Sequence, residues 1–285
     1  MIRFVNNKVG RFGNSLFQLF FAEHVSELIP NLVVLNFAIP EFGIIESKDY
    51  SRYLGQTSDL TLTGHSISTE QLEMMRSYHL RLIHSEVIGM RMRFLDSIPE
   101  EISKLVNELE QIRDERAHQI QGKVLCHIRG GDVWRRLIPS NRVHPDYSSL
   151  PYSFYHKIQE REGTGLAFLL EPGVPRWYVN GLIKRFGKNS VLPNSSVRND
   201  FALLLNSPNL AISVSSFSWM AGFLGGANRI HFPVHGLLDP DARPDLDLMP
   251  LSDTRYSFYY PKEHVWQGGL KDYKWVTQSE VDTLD

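Results

Sequence analysis

One cysteine, Cys126, stands in a chain of 285 residues. An intramolecular disulfide is therefore excluded, and so is a metal site built on clustered thiolates. A reducing compartment fits this usage. The chain also lacks an excess of charge: 30 Lys+Arg stand against 32 Asp+Glu, a formal net charge of −2. A global basic field that would draw nucleic acid to the surface is excluded, so any anion binding has to be local. Long apolar runs are missing as well. Leu16–Ala22 is short and is followed by Glu23 and His24. It reads poorly as a secretory signal, and no other segment reaches the ~18 apolar residues of a membrane helix. The expectation is a soluble protein in the cytoplasm or on the cytoplasmic face of a membrane, with peripheral membrane association left open. There is no internal repeat and no low-complexity tract.

What is present suits a globular enzyme. Hydrophobic residues make up 42% and charged residues 22%, with 11% aromatics and 15 prolines. That is enough for a real core, and the length suits one large or two ordinary domains. Ile2–Val5 reads as a strand. Asn14 or Ser15 can cap a helix running to about Leu28, with Phe17, Phe20, Phe21, Val25 and Leu28 at helical spacing. Asn31–Phe37 is the next buried strand, which makes a βαβ unit. Residues 38–95 are less regular, with strand candidates at Tyr53–Leu62 and His79–Ile88. "PEEISKLVNELEQIRDERAHQI" predicts one helix over 99–118, opened by Pro99, Glu100 and Glu101. A second series follows: strands at 123–128, 166–170, 210–214 and 229–233, a short strand near Val191, and helices near 152–161, 175–186, 199–206 and 216–224. Residues 234–285 read as a mostly irregular closing segment. Alternation of buried strands with helices implies α/β architecture with parallel sheets, here two Rossmann-like halves. Domains are expected at 1–118 and 119–250, followed by a closing segment 251–285. The ligand is expected in a cleft at the carboxyl ends of the strands.

Three loops fall at such ends. "GRFGNS" (Gly10–Ser15) brackets Arg11 with glycines ahead of a helix start, so that backbone N–H groups can approach an anion; a tight strand-to-helix turn is the plain alternative. It is neither GxGxxG nor a P-loop. "HIRGGD" (His127–Asp132) offers the donor fork of Arg129 beside Gly130 and Gly131, and that fork suits phosphate. Asp132 can orient the arginine or tie down the loop, and His127 can be a satisfied core residue. No second histidine or carboxylate stands at metal-ligand spacing. "SVSSFSWMAGF" (Ser213–Phe223) leads a strand into Ser215, Ser216 and Phe217 at a helix start. This makes an anion cradle, an ordinary serine N-cap, or both. Two cradles and an arginine suit a diphosphate. A sugar nucleotide is a good candidate, because its leaving group develops the charge an arginine can meet.

The same stretches resemble a known family. "GRFGNSLFQLFFAEH" looks like the N-terminal G-x-x-GN-x-x-FQ signature of α1,2-fucosyltransferases, and "GRFGN" also resembles that of protein O-fucosyltransferases. "HIRGGD" is similar to the H-x-R-x-x-D peptide of this inverting fucosyltransferase superfamily. "HPDYSSLPYSFYHKI" resembles the stretch that follows it in the α1,2 group, and "RNDFALLLNSPNLAISVSSFSWMAGFL" resembles the D-x-x-L…SSFSWW segment. The four motifs cover most of 8–158 and 198–233, in the family's order. The resemblance implies a GT-B fold, two Rossmann-like domains facing a cleft, with the acceptor on the N-terminal side and the nucleotide sugar on the C-terminal side. It implies an inverting transfer of fucose from GDP-fucose to a glycan hydroxyl, with no metal or other cofactor. Arg129 matches the arginine held to bind the β-phosphate and glycosidic oxygen. Ser215 and Ser216 match the pair near the phosphates, Asp200 the acidic residue near the nucleotide, and Arg11 and Asn14 the cleft-facing loop. Gly13, His127 and Phe217 lie inside the matched motifs and are counted with them as donor-binding. Arg129 and Asp132 are the catalytic candidates. Two departures stand out. Gly130 replaces the second arginine of the α1,2 group, and Glu171-Pro172 stands where those enzymes typically show a serine and acidic pair. An inverting transfer also needs help deprotonating the acceptor; Asp132, His144 and Asp146 are the candidates.

Two other readings are kept. Asp239-Pro240-Asp241 and Asp245-Leu246-Asp247 are D-x-D pairs of the kind that can hold a divalent cation for a sugar diphosphate, which would make a metal-dependent transferase using another nucleotide sugar. A non-catalytic module with a degenerate sugar-nucleotide cleft is the other.

Overall fold

A computed structural model describes residues 1–8, 10–35, 39, 42–43, 56–77, 79–134, 143, 146–193 and 195–283. The chain is α/β. Among the described residues it forms two sheets, of four and six strands, in which parallel pairing dominates; this is compatible with two Rossmann-like domains. It divides into two compact units: Met1–Asn107 with Asp245–Leu248, and Glu108–Pro244 with Met249–Asp285.

In the first unit, β1 (Ile2–Asn6), α1 (Phe12–Leu28) and β2 (Leu32–Leu35) make the expected βαβ step. The helix begins earlier than expected. Arg11 is its N-cap, without a side-chain cap bond, and Asn14 and Ser15 sit inside the first turn. The reason is backbone geometry: Gly10 turns the chain at φ +80°, and a Cβ there would lie 2.2 Å from the Asn14 amide nitrogen. Asn14 therefore folds back over Gly10 instead of capping. Phe21, Ala22 and Val25 of α1 pack with Phe4 and Phe94 in the core. β3 (Leu60–Leu62), α2 (Thr69–Ser77) and β4 (Leu82–Ser85) follow, and the all-parallel order is β2-β1-β4-β3. Of the strand expected over 53–62, residues 53–55 lie outside the described residues, as do Asn36 and Phe37 of the one before. The segment Asp245–Leu248 joins this unit through Met92 N–H donating to the Asp247 carbonyl at 2.8 Å.

α2 has a local signal that apolar periodicity does not carry. Ser68 and Gln71 form a reciprocal capping box: Ser68 N–H donates to Gln71 Oε1 at 2.8 Å, and Gln71 N–H to Ser68 Oγ at 3.2 Å. Such a pair satisfies two otherwise unbonded N–H groups. Ser68→Ala is expected to cost about 1 kcal/mol, read as a shifted denaturation midpoint at unchanged m-value.

The helix expected over 99–118 stops early. α3 covers Glu100–Glu110, burying Ile102, Leu105 and Leu109, and only a short α4 (Ala117–Ile120) follows. The break has a clear cause. The Asp114 carboxylate accepts from Arg116 N–H at 2.8 Å and Nε at 2.9 Å, an Asx-type turn that competes with the helix. Arg116 then reaches the Pro193 carbonyl at 3.0 Å and Asp200 at 2.7 Å.

The second unit carries β5 (Lys123–Ile128), α5 (Tyr152–Glu162), β6 (Gly165–Leu170), α6 (Arg176–Phe186), α7 (Val197–Leu205), β7 (Asn209–Ala211), α8 (Ser216–Leu224) and β8 (Arg229–Pro233). The closing segment is more regular than expected. β9 (Tyr256–Pro261) pairs parallel with β8, and α9 (Tyr273–Gln278) leads to β10 (Val281–Thr283), antiparallel to β9. The aromatic run "YSFYY" is strong strand chemistry, and Pro261 sits at the strand's end, where it interrupts nothing. The sheet order is β6-β5-β7-β8-β9-β10. Numbered within this unit, the parallel part reads 2-1-3-4-5, a doubly wound order whose direction reverses between β5 and β7. The carboxyl ends flanking such a reversal form the crevice where open α/β sheets hold ligands. Among the described residues no helix is long and apolar enough to cross a membrane.

Candidate functional site

The reversal point places "HIRGGD" against "SVSS". Strand β5 alternates its side chains, so His127 and Arg129 leave the same face two residues apart. His127 Nδ1 lies 2.8 Å from Ser213 Oγ. Arg129 Nη1 donates to Ser215 Oγ at 3.2 Å. Residues that the sequence separates by 86 positions are thus joined in two parallel rungs across β5 and β7.

Arg129 is buried, with only 6% of its surface exposed. Its Nη2 donates to both Asp132 carboxylate oxygens at 3.1 Å, and its guanidinium lies 3.9 Å from the centre of the Tyr147 ring. A buried cation needs such company, because desolvation costs several kcal/mol per ion. The Arg129 carbonyl is pinned by Trp134 Nε1 at 3.1 Å. Arg129 Nε is buried and has no partner among the described residues.

The cradle half of the site is the start of α8. Ser215 is its N-cap and accepts from Phe217 N–H at 3.3 Å. Its oxygen therefore accepts from both Arg129 and Phe217, and its own O–H proton remains to be donated. Ser216 is buried in the first turn, where N–H groups and helix dipole favour negative charge. Phe217 packs 5.5 Å from the His127 ring and 5.2 Å from Phe201 of α7.

The tip of β6 supplies a residue that the sequence marks only as a departure. β5 and β6 run in register, Ile128 beside Leu170, and continue to bond past their ends: Glu171 N–H donates to the Ile128 carbonyl, and Gly131 N–H to the Pro172 carbonyl, each at 2.9 Å. Glu171 consequently faces the loop. One carboxylate oxygen accepts from Gly130 N–H at 3.3 Å, and the other lies 3.5 Å from His127 Nε2. Glu171, partly buried, thus continues the line of buried His127 and Ser213. Its signal in the sequence is an acidic residue directly after a buried strand, one strand over from "HIRGGD".

Asp200, in the first turn of α7, is held by Arg116 and is not presented alone. Burial pushes its carboxyl above the ordinary value, opposed by Arg116; Asp114 and Glu171 add to the rise. Asp114, which accepts three contacts from Arg116 side-chain nitrogens, is pulled below its ordinary value. Of the candidate bases, Asp132 is engaged by Arg129, and Asp146 pairs with Arg243. His144 lies outside the described residues. Asp239 Oδ1 accepts from Asp241 N–H at 2.9 Å, so that D-x-D pair makes a turn.

The structure thus brings together His127, Arg129, Asp132, Ser215, Ser216 and Phe217 in the second unit, with Asp200 within electrostatic reach of Glu171. Arg11, Gly13 and Asn14 lie in the first unit at the start of α1. There the chain just past the carboxyl ends of β1 and β4 is joined by buried Gln18, whose Nε2 lies 3.2 Å from Asn6 Oδ1, 3.0 Å from the Asn7 carbonyl and 3.4 Å from the Val87 carbonyl. Set against family models, curated proteins and solved structures, the chain matches none.

Proposed function

We propose that the chain is an inverting, metal-independent glycosyltransferase of GT-B type, transferring fucose from GDP-fucose to a hydroxyl of a glycan acceptor. The observation that carries this reading is the convergence of Arg129 with Ser215 and the start of α8 at the sheet's reversal point. A guanidinium, a hydroxyl with a free proton and the first N–H groups of a helix are donors to one anion. The leaving group of a nucleotide-sugar transfer is such an anion, and preorganised donors lower the barrier where its charge develops. The motif resemblance supplies the sugar and the nucleotide.

The test is a thermal-shift and hydrolysis screen across GDP-, UDP- and dTDP-sugars. GDP at about 100 times its dissociation constant is expected to stabilise the protein by roughly 2.7 kcal/mol, a rise of roughly 5–10 °C. Stabilisation by another nucleotide and none by GDP would remove the fucosyl assignment. Turnover is further expected to persist in excess chelator. Complete loss there would instead point to the acidic pair at Asp239 and Asp241.

A further inference from the structure

The carboxyl edge of the second sheet carries a second polar cluster. β9 runs parallel to β8, β7 and β5, so its carboxyl end opens on the same edge as Arg129 and Ser215. His264 follows that end directly. His264 Nε2 lies 2.7 Å from Asp272 Oδ1, and Asp272 is fully buried. The carboxylate also accepts Gln267 N–H at 3.1 Å, while its Oδ2 is buried with no partner among the described residues. The His264 ring stacks on Trp275 at 4.8 Å, with planes 13° apart. A carboxylate oxygen accepts; with the Asp272 carboxylate as the acceptor, the proton of this bond lies on His264 Nε2, and in the neutral ring the lone pair is then on Nδ1.

The loop bearing this pair is fixed to the loop bearing Arg129. Trp266 Nε1 donates to the Val133 carbonyl at 2.7 Å and meets Trp134 edge-on at 4.9 Å. Gly268 packs so closely that a Cβ would stand 3.1 Å from that same Val133 carbonyl. Three strand steps separate β5 from β9, about 15 Å along the sheet edge.

We infer that His264 is the general base of the proposed transfer, with Asp272 as the positioning residue that holds its ring; this rests on the reading of the site given above. A buried carboxylate with an unpartnered oxygen is costly unless used, and an imidazole aligned by it presents a lone pair in one fixed direction. Asp132 and Asp146 are already committed to arginines. In the step, His264 Nδ1 takes the acceptor hydroxyl proton as that oxygen bonds to the anomeric carbon. The bond from that carbon to the β-phosphate oxygen breaks, and its electron pair leaves with GDP toward Arg129. The imidazolium then returns its proton to solvent.

The test uses GDP-fucose with water as the acceptor. His264→Ala is expected to lower turnover about 10²–10³-fold, to leave the dissociation constant for GDP within twofold, and to regain activity with added imidazole. Asp272→Asn, close to isosteric, is expected to lower kcat at least tenfold with melting temperature and GDP affinity retained. His264→Ala turning over within threefold of the parent, or a loss that imidazole leaves unchanged, overturns the inference while the site reading stands. A parent that neither binds GDP nor turns over GDP-fucose overturns both.

Discussion

Arg129→Ala is expected to lose about 10³-fold in the proposed fucosyl transfer while keeping its fold. The size follows from the charge. Removing one preorganised donor to a developing oxyanion costs roughly 3–4 kcal/mol, two to three orders in rate, and Arg129 brings a full charge as well. The fold should survive because the partner left behind is not stranded: the Asp132 side chain is 33% exposed and can take up water. Tyr147 and Ser215 lose one contact each. Arg129→Lys separates charge from geometry. A planar fork serves both Asp132 oxygens, Ser215 and the Tyr147 face at once, whereas an ammonium is a point charge with no plane to stack. Lysine is therefore expected to recover less than a tenth of the lost rate. The measurement is GDP-fucose turnover beside circular dichroism and melting curves. Near-normal turnover in a folded Arg129→Ala protein would remove Arg129 from the chemistry.

The site is legible where it is local, and opaque where it depends on strand neighbours. "HIRGGD" after an apolar run and two serines before a helix are short-range signals, and both fall on the expected elements, β5 and α8. That they meet through Arg129 and Ser215 depends on β7 lying beside β5, which no periodicity encodes. Glu171 shows the same limit. Its bond to Gly130 N–H follows from the β5–β6 register, so a sequence shows only an acidic residue before a proline. The break after Glu110 has a local part, the Asp114–Arg116 turn, but the contact of Arg116 with Asp200, 84 positions on, belongs to the fold and not to the local sequence. β9 is hidden for a different cause: the proline- and aspartate-rich stretch ahead of it drowns a short aromatic strand. The α2 capping box, by contrast, is readable from four residues.

Gly130→Ala is expected to destabilise the protein by about 3 kcal/mol, at the upper end for forced overpacking, and to lower the melting temperature by roughly 6–12 °C. A Cβ at this position would lie 2.4 Å from the Pro172 carbonyl oxygen and 2.7 Å from that of Glu171. Both obstacles are backbone, so neither can rotate away as a flexible side chain would. The backbone here is extended, φ −113° and ψ −157°, so the requirement for glycine is space and not torsion. Gly226→Ala is the matched control: a Cβ there would have nothing within 4 Å, and its cost should stay within about 0.5 kcal/mol. This bears on the second arginine that the motif of the resembled α1,2 group carries at this position. Gly130→Arg, which would introduce the doubled pair of the resembled α1,2 motif, should not improve binding of the proposed donor. It must push the β6 tip away, break the Gly130–Glu171 bond, and move Arg129 with it. We expect it to melt at least as low as Gly130→Ala and to bind GDP more weakly than the parent. A stable Gly130→Arg protein with tighter GDP binding would show that the β6 tip yields, and that the close approach of Glu171 and Pro172 is not what excludes the second arginine.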